Sequence, residues 1–225
     1  MDFLVIFLAI LLIVVIFYMV YTKSDNTKSK IEVDMSAQLA DITTDKLVKP
    51  DAVSYTYKVW LYVDKPISST AFIFARDKDL TLKLNGTTSV LSVTTKHASS
   101  ADITHMITNN FPLQKWVYVV ISVDNATIDM YLDGKLVKSA IAERTTTGNK
   151  YHRPDATSPI KFGVNPGTYM TKFNRKLGPS DPQTTWSSYM EGSGSAMGLS
   201  SLANRYNINL AISKDNIISN TISLW

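Results

Sequence analysis

No cysteine occurs in the 225 residues, and only three glutamates (Glu32, Glu143, Glu191) and three histidines (His97, His105, His152) stand beside sixteen aspartates. Without thiols there can be no disulfide staple, zinc–thiolate site, iron–sulfur cluster or cysteine nucleophile, and their absence points towards a reducing compartment. Glu favours helix interiors and Asp favours turns, so the acidic bias leans towards a β protein with many turns. The histidines have no metal-ligand spacing, so no metal site is expected from them. There is no glycine-rich phosphate loop, no Gly-x-Ser-x-Gly elbow and no heptad run. The formal charge is only +4 and the lysines and arginines are scattered. That excludes the basic stripe that nucleic acid requires, and nucleic acid is not an expected partner.

Charge is missing most completely from Phe3 to Thr22, a run of 20 residues with none. As a helix this run is roughly 30 Å long, the thickness of a bilayer core. A cleavable signal peptide needs a basic leader, a shorter apolar stretch and a small-x-small cleavage site. Here the leader is Met1-Asp2, and Ala9 is the sole small residue in the run. Tyr18 and Tyr21 stand near one end, where aromatic belts form. The run is therefore expected to be a retained transmembrane anchor (1–22), with a lipid bilayer as partner through residues 3–22. Lys23, Lys28 and Lys30 follow it and no Lys or Arg precedes it, which puts the C-terminal domain on the cytosolic side of a single-pass membrane protein. Two sequons, at Asn85 and Asn125, argue for the lumen only if glycosylated. A polar stalk is expected over 23–50.

What is present beyond the stalk alternates with period two. Val53, Tyr55, Tyr57, Val59, Leu61 and Val63 share one face of a strand, and Ser54, Thr56, Lys58, Trp60 and Tyr62 the other. Further strands are expected at 70–76, 80–84, 88–95, 116–123, 127–132, 135–140 and 160–164. Only the anchor and the last dozen residues suggest helix. Asp133-Gly134 signals a two-residue type I′ turn, whose central residues both need positive φ. That turn pairs Leu132 with Lys135, Tyr131 with Leu136, Met130 with Val137 and Asp129 with Lys138. A turn at 124–127 pairs Val123 with Ile128, Ile121 with Met130 and Val119 with Leu132. Val119, Ile121, Val123, Ile128, Met130, Leu132 and Val137 then form one core face.

The stretch "FPLQKWVYVVISVDNATIDMYLDGKLVKS" resembles the central meander of laminin-G-like, concanavalin A-like jelly-roll domains, in which a Trp opens a strand and an aliphatic-Tyr-aliphatic-Asp-Gly hairpin follows. "VSYTYKVWLYV" resembles their early core strand, "PIKFGV" a strand ending in Gly, and "NLAISKDNI" their closing strand. The resemblance covers roughly 50–165 and 205–225. It implies an all-β, two-sheet antiparallel jelly-roll sandwich over 51–225, behind the transmembrane α-helix. The sequence departs from that pattern at 165–206, read as a long loop rich in Gly, Ser, Pro and Thr. This loop carries Tyr169, Lys172, Phe173, Arg175, Lys176, Trp186 and Tyr189, and aromatic residues with arginine are what interfaces favour. It is the expected partner-binding surface, and removal of 170–200 is expected to leave the sandwich folded.

The hydrolase branch of the resembling fold supplies Glu-x-Asp-x-x-Glu on one strand, since glycoside hydrolysis needs two carboxylates 5–10 Å apart. Nothing of that kind is present, so no catalytic residue and no enzyme activity are expected. No cofactor is expected either; calcium is the one ligand the resemblance leaves open, through Asp77, Asp79, Asp102 and Asn125. Two functions remain. One is a non-enzymatic membrane-anchored structural or interaction module that grips other proteins. By analogy it is a minor capsid protein in the virion of a large DNA virus, linking an internal membrane to capsid proteins of the shell. The other is a displayed lectin that takes carbohydrate on Trp60, Tyr62, Trp116 and Tyr118.

Overall fold

The computed structural model describes residues 11–14, 33–65, 70–96, 102–141, 154–193, 209–214 and 217–223. Of the apolar run only residues 11–14 are included, as helix with exposed side chains. Among the described residues no helix is long and apolar enough to cross a membrane. The expected anchor and the first part of the stalk otherwise lie outside the described residues.

Thirteen strands carry the described chain: β1 (Val33–Asp34), β2 (Ser54–Val63), β3 (Thr70–Arg76), β4 (Leu80–Asn85), β5 (Val90–Thr95), β6 (Ile103–Thr108), β7 (Trp116–Asp124), β8 (Thr127–Leu132), β9 (Lys135–Ile141), β10 (Ile160–Phe162), β11 (Thr168–Leu177), β12 (Asn209–Lys214) and β13 (Ile217–Ser223). One helix, α1 (Pro182–Met190), and a 3-10 turn at Thr44–Lys46 complete them. Six strands form one antiparallel sheet in the order β1-β11-β2-β7-β8-β9, and five form a second, β10-β3-β4-β5-β6. The two pack face to face, as alternation in β2 demands. Tyr55, Tyr57, Val59, Leu61 and Val63 join the buried core, while Trp60 falls into a separate cluster on the outer side.

Register in the central meander follows its turns. Val119 pairs with Leu132, Ile121 with Met130 and Val123 with Ile128, as the turn at 124–127 requires. Asp133 and Gly134 take φ of 47° and 77°, as a type I′ turn requires. Leu132 pairs with Lys135 and Tyr131 with Leu136, but Met130 then pairs with Lys138 across a bulge. The expected Met130–Val137 pair is therefore wrong. Val137 is the extra residue of the bulge and is 45% exposed. A bulge inserts one residue and reverses the inside–outside sense beyond it, which sequence alternation alone cannot anticipate. Replacing Ile121 with Ala, which removes buried methylenes from the core face, should cost about 2–5 kcal/mol. Val137→Ala should stay within about 0.5 kcal/mol. Equal unfolding midpoints for the two variants would show that the bulge is misplaced.

Three further expectations fail. Residues 33–50 are not a stalk: β1 pairs with β11, and Met35 and Leu47 are buried in the core. Residues 165–206 are not one long loop, because β11 occupies 168–177 between β1 and β2, and α1 follows it. The last dozen residues are not helical; β13 pairs with β12 in a separate two-stranded sheet, in keeping with the β-branched Ile217, Ile218, Thr221 and Ile222. The "NLAISKDNI" stretch thus lies in this hairpin and does not close the main sandwich.

Candidate functional site

The outer face of the six-stranded sheet gathers most of the aromatic residues singled out from the sequence. Cross-strand neighbours there stand in rows. Asp34 pairs with Tyr169, Tyr169 with Tyr62, and Tyr62 with Trp116, so one row runs across β1, β11, β2 and β7. Its rings lie 6.0 Å (Tyr62–Tyr169) and 5.5 Å (Tyr62–Trp116) apart, tilted by 63° and 48°. All three remain half-buried. In the next row Trp60 pairs with Tyr118 and stacks on it at 5.0 Å. These two are buried, because α1 lies over them. Tyr189 stacks on Trp60 at 5.6 Å and stands 6.4 Å from Tyr118. Burial pushes the Tyr118 hydroxyl well above the ordinary tyrosine range.

The helix is held in place at both ends. Asp181 caps it, accepting from the Thr184 N–H at 2.8 Å and the Thr184 hydroxyl at 2.7 Å, and Pro182 occupies the first turn, where its missing N–H costs nothing. The Ser180 N–H donates to Ser122 Oγ at 2.8 Å, and the Tyr131 hydroxyl donates to the Ser180 carbonyl at 3.2 Å. Lys58 Nζ reaches Ser188 Oγ at 3.1 Å, and Lys172 Nζ donates to the Gly192 carbonyl at 2.7 Å. Under the helix lies Gly134. A Cβ there would come within 2.8 Å of the Trp186 ring, so only glycine serves both the positive-φ turn and the helix seat.

Two further features share this face. Trp186 and Met190, four residues apart on α1, are 41% and 60% exposed, and Leu136 on β9, the strand that α1 adjoins, is 47% exposed. Towards the β7–β8 turn an open cleft of about 450 Å³ is lined by Ser122, Asp124, Thr127, Asp129, Tyr131, Pro179, Ser180, Asp181 and Pro182.

The residues expected on a partner-binding loop are thus divided among different environments. Phe173 and Arg175 point inward and are buried; Tyr169, Lys172 and Tyr189 are half-buried on the outer side; Lys176 and Trp186 are exposed. Buried side chains cannot grip a partner, so Phe173 and Arg175 leave that set. Of the residues expected to hold glycan, Tyr62 and Trp116 stay accessible while Trp60 and Tyr118 are covered. The α1 cap was legible: Asp181-Pro182 before a run free of glycine is a helix start.

The residues considered for calcium are engaged separately. Asp77 pairs with Lys161 at 3.2 Å, Asp102 with Lys96, and the Asn125 amide donates to Asp124. Asp79 is fully buried between the sheets, accepting from the Tyr55 hydroxyl and from that of Tyr57 at 2.9 Å, with Arg76 Nη1 at 3.8 Å. Burial, reinforced by the Asp79 carboxylate, raises the Tyr57 pKa strongly. Among the described residues no three His, Asp or Glu side chains are grouped to hold a metal. Of the three glutamates only Glu191 is described, exposed at the end of α1.

Two antiparallel sheets packed face to face, one of them with a half-covered aromatic outer face, define a two-sheet antiparallel β-sandwich. Residues 34–178 match the laminin G 3 family, described as the concanavalin A-like lectin/glucanases superfamily, and the chain belongs to it. No curated protein matches the sequence. Among solved structures, the receptor binding domain of botulinum neurotoxin mosaic serotype C/D is similar at 13% identity and a TM-score of 0.53, over 62% of this chain and 36% of that one. The binding domain of botulinum neurotoxin DC is similar in its complex with rat synaptotagmin II, at 13% identity and a TM-score of 0.51, over 64% of this chain and 37% of that one. Its complex with SialylT gives 12% identity and the same TM-score and coverage. The chain spans little more than a third of those structures, and at such identities the likeness concerns the fold.

Proposed function

We propose that this chain is a non-catalytic interaction module, held at a membrane by its apolar N-terminus, that grips a protein partner through α1 and the adjoining strand β9. The observation that carries this reading is the uncovered apolar patch of Trp186, Met190 and Leu136 on a helix that is itself rigidly seated. Large apolar side chains left open together mark a contact surface. Support for a structural role is the absence of a paired-carboxylate motif from the sequence and the commitment of Asp79 to the core. In the finer form of this reading the partner is a capsid protein of a large DNA virus, and the module ties its shell to an internal membrane.

Leu136→Lys with Met190→Lys should leave folding nearly intact, since both side chains are mostly exposed and a cation suits a helix C-terminus. It should abolish cross-linking to the partner in native membranes. Cross-linking at the parental level with an unchanged melting point would sink this reading. A second reading, carbohydrate binding, is favoured by the accessible Tyr62–Trp116 pair. It predicts glycan-array binding that survives the double lysine variant and is lost in Trp116→Ala.

A further inference from the structure

The aromatic row on β1, β11, β2 and β7 has a neighbour that the patch on α1 lacks: the point at which the N-terminal segment joins the fold. Strand β1 opens at Val33, and Asp34 stands in the same cross-strand row as Tyr169, Tyr62 and Trp116. Only ten residues, 23–32, separate Val33 from the apolar run that ends at Thr22. Even fully extended they reach about 35 Å at most. The ten-residue strand β2 is itself about 33 Å long, so this leash holds the sandwich within about one strand length of wherever the apolar run is fixed, and β1 enters the sheet within three residues of the start of β11.

That end differs in composition from an ordinary loop cluster. Leu113 and Val164, in loops leading to β7 and β11, are 39% and 47% exposed. Strand ends meet there: the Gln114 N–H donates to the Val63 carbonyl and the Asp64 N–H to the Gly167 carbonyl, so the row of half-buried rings lies one to three residues from these loops, with Lys65 against Gly167 and Lys115 beside Asp133. Lys115 pairs with Asp133 at 2.9 Å, and Asp34 accepts from the Ser36 N–H and hydroxyl. Both signs alternate there without an excess of lysine, so anionic lipid is not the attraction. Tyr and Trp carry an apolar body and a polar tip, and such rings partition into the headgroup layer of a bilayer.

We propose that this end of the sandwich lies on the bilayer, with Trp116, Tyr62, Tyr169 and the Leu113 and Val164 side chains in the headgroup layer of zwitterionic lipid. The inference rests on the reading that residues 3–22 are a membrane tether. It gives the module an orientation: the end bearing Leu113 and Val164 meets lipid, α1 stands further along the same outer face, and the 450 Å³ cleft at the β7–β8 turn lies at the far end of the strands.

Because the chain has no cysteine, single substitutions report one position each. Full-length Leu113→Cys, Val164→Cys and Met190→Cys variants, each labelled with a polarity-sensitive dye, are reconstituted into phosphatidylcholine vesicles, and insertion is scored by resistance to carbonate extraction. The dye at positions 113 and 164 should shift to the blue and be quenched about twofold more by shallow spin-labelled lipid than at 190, with little dependence on salt. Trp116→Ala should weaken that quenching. Carbonate-resistant protein whose dyes at 113 and 164 stay water-like overturns the lipid contact while leaving the tether intact. So does a blue shift that appears only on adding a soluble oligosaccharide, which would assign the row to carbohydrate. Extraction of the chain by carbonate overturns the tether, and the lipid contact with it.

Discussion

Asp79→Ala should unfold the protein at markedly lower urea, with a loss of about 3–5 kcal/mol, while Asp77→Ala two residues away behaves as a surface substitution. The difference lies in what each carboxylate faces. Asp77 sits in the turn between β3 and β4 and meets Lys161 in water, both side chains about half exposed or more. Asp79 is fully buried with Arg76, and it also receives the Tyr55 and Tyr57 hydroxyls. Arg175, equally buried, lies 4.9 Å over the Tyr55 ring and donates to the Val48 carbonyl at 3.1 Å. Removing the carboxylate leaves two guanidinium groups in the core, with carbonyls and rings but no counter-charge. Asp79→Asn, which keeps an acceptor oxygen and loses the charge, divides the cost between hydrogen bonding and ion pairing. A midpoint for Asp79→Ala equal to that of Asp77→Ala, measured on the full chain in detergent, would show that the network contributes nothing.

Deletion of 170–200 should abolish folding altogether, the reverse of what a surface loop would allow. The deletion removes most of β11, which bonds β1 on one side and β2 on the other. Phe173→Ala tests the same point with one residue. The ring packs 5.1 Å from Phe74 and 5.0 Å from Phe162, both on the opposite sheet, and 6.2 Å from Tyr57. Its truncation should cost about 3–5 kcal/mol. A deletion variant that keeps its β spectrum and its cooperative melt would restore the loop reading.

The contrast between β7 and β11 shows what could be read from sequence. In β7 to β9, strict alternation and two tight turns state the register directly, and the structure departs from it only past the bulge at Val137. In β11 the inward residues Met170, Phe173 and Arg175 are spaced by three and then two, because a bulge at Lys172, with φ of 51°, inserts one residue. Period two is lost, and one of the inward residues is an arginine, so the strand carries no apolar stripe. The site is legible to a similar degree. Period two places Trp60, Tyr62, Trp116 and Tyr118 on one face. Which of them stay accessible depends on α1, whose apolar and polar residues are poorly segregated and whose seat is a set of long-range hydrogen bonds to Ser122, Tyr131 and Lys58.

The strand order also sets a timetable for synthesis. Strand β2, almost wholly apolar or aromatic on its inner face, leaves the ribosome early, yet its partners are Trp116–Asp124 on β7 and, later still, Thr168–Leu177 on β11. The six-stranded sheet therefore stays open along one side of β2 until nearly four-fifths of the chain has been made. During that interval β2 presents unpaired backbone and aromatic side chains along that side. Long-range pairing of this kind folds slowly and exposes aggregation-prone edges. A chain so ordered should aggregate more readily while incomplete than a simple up-and-down meander of the same composition.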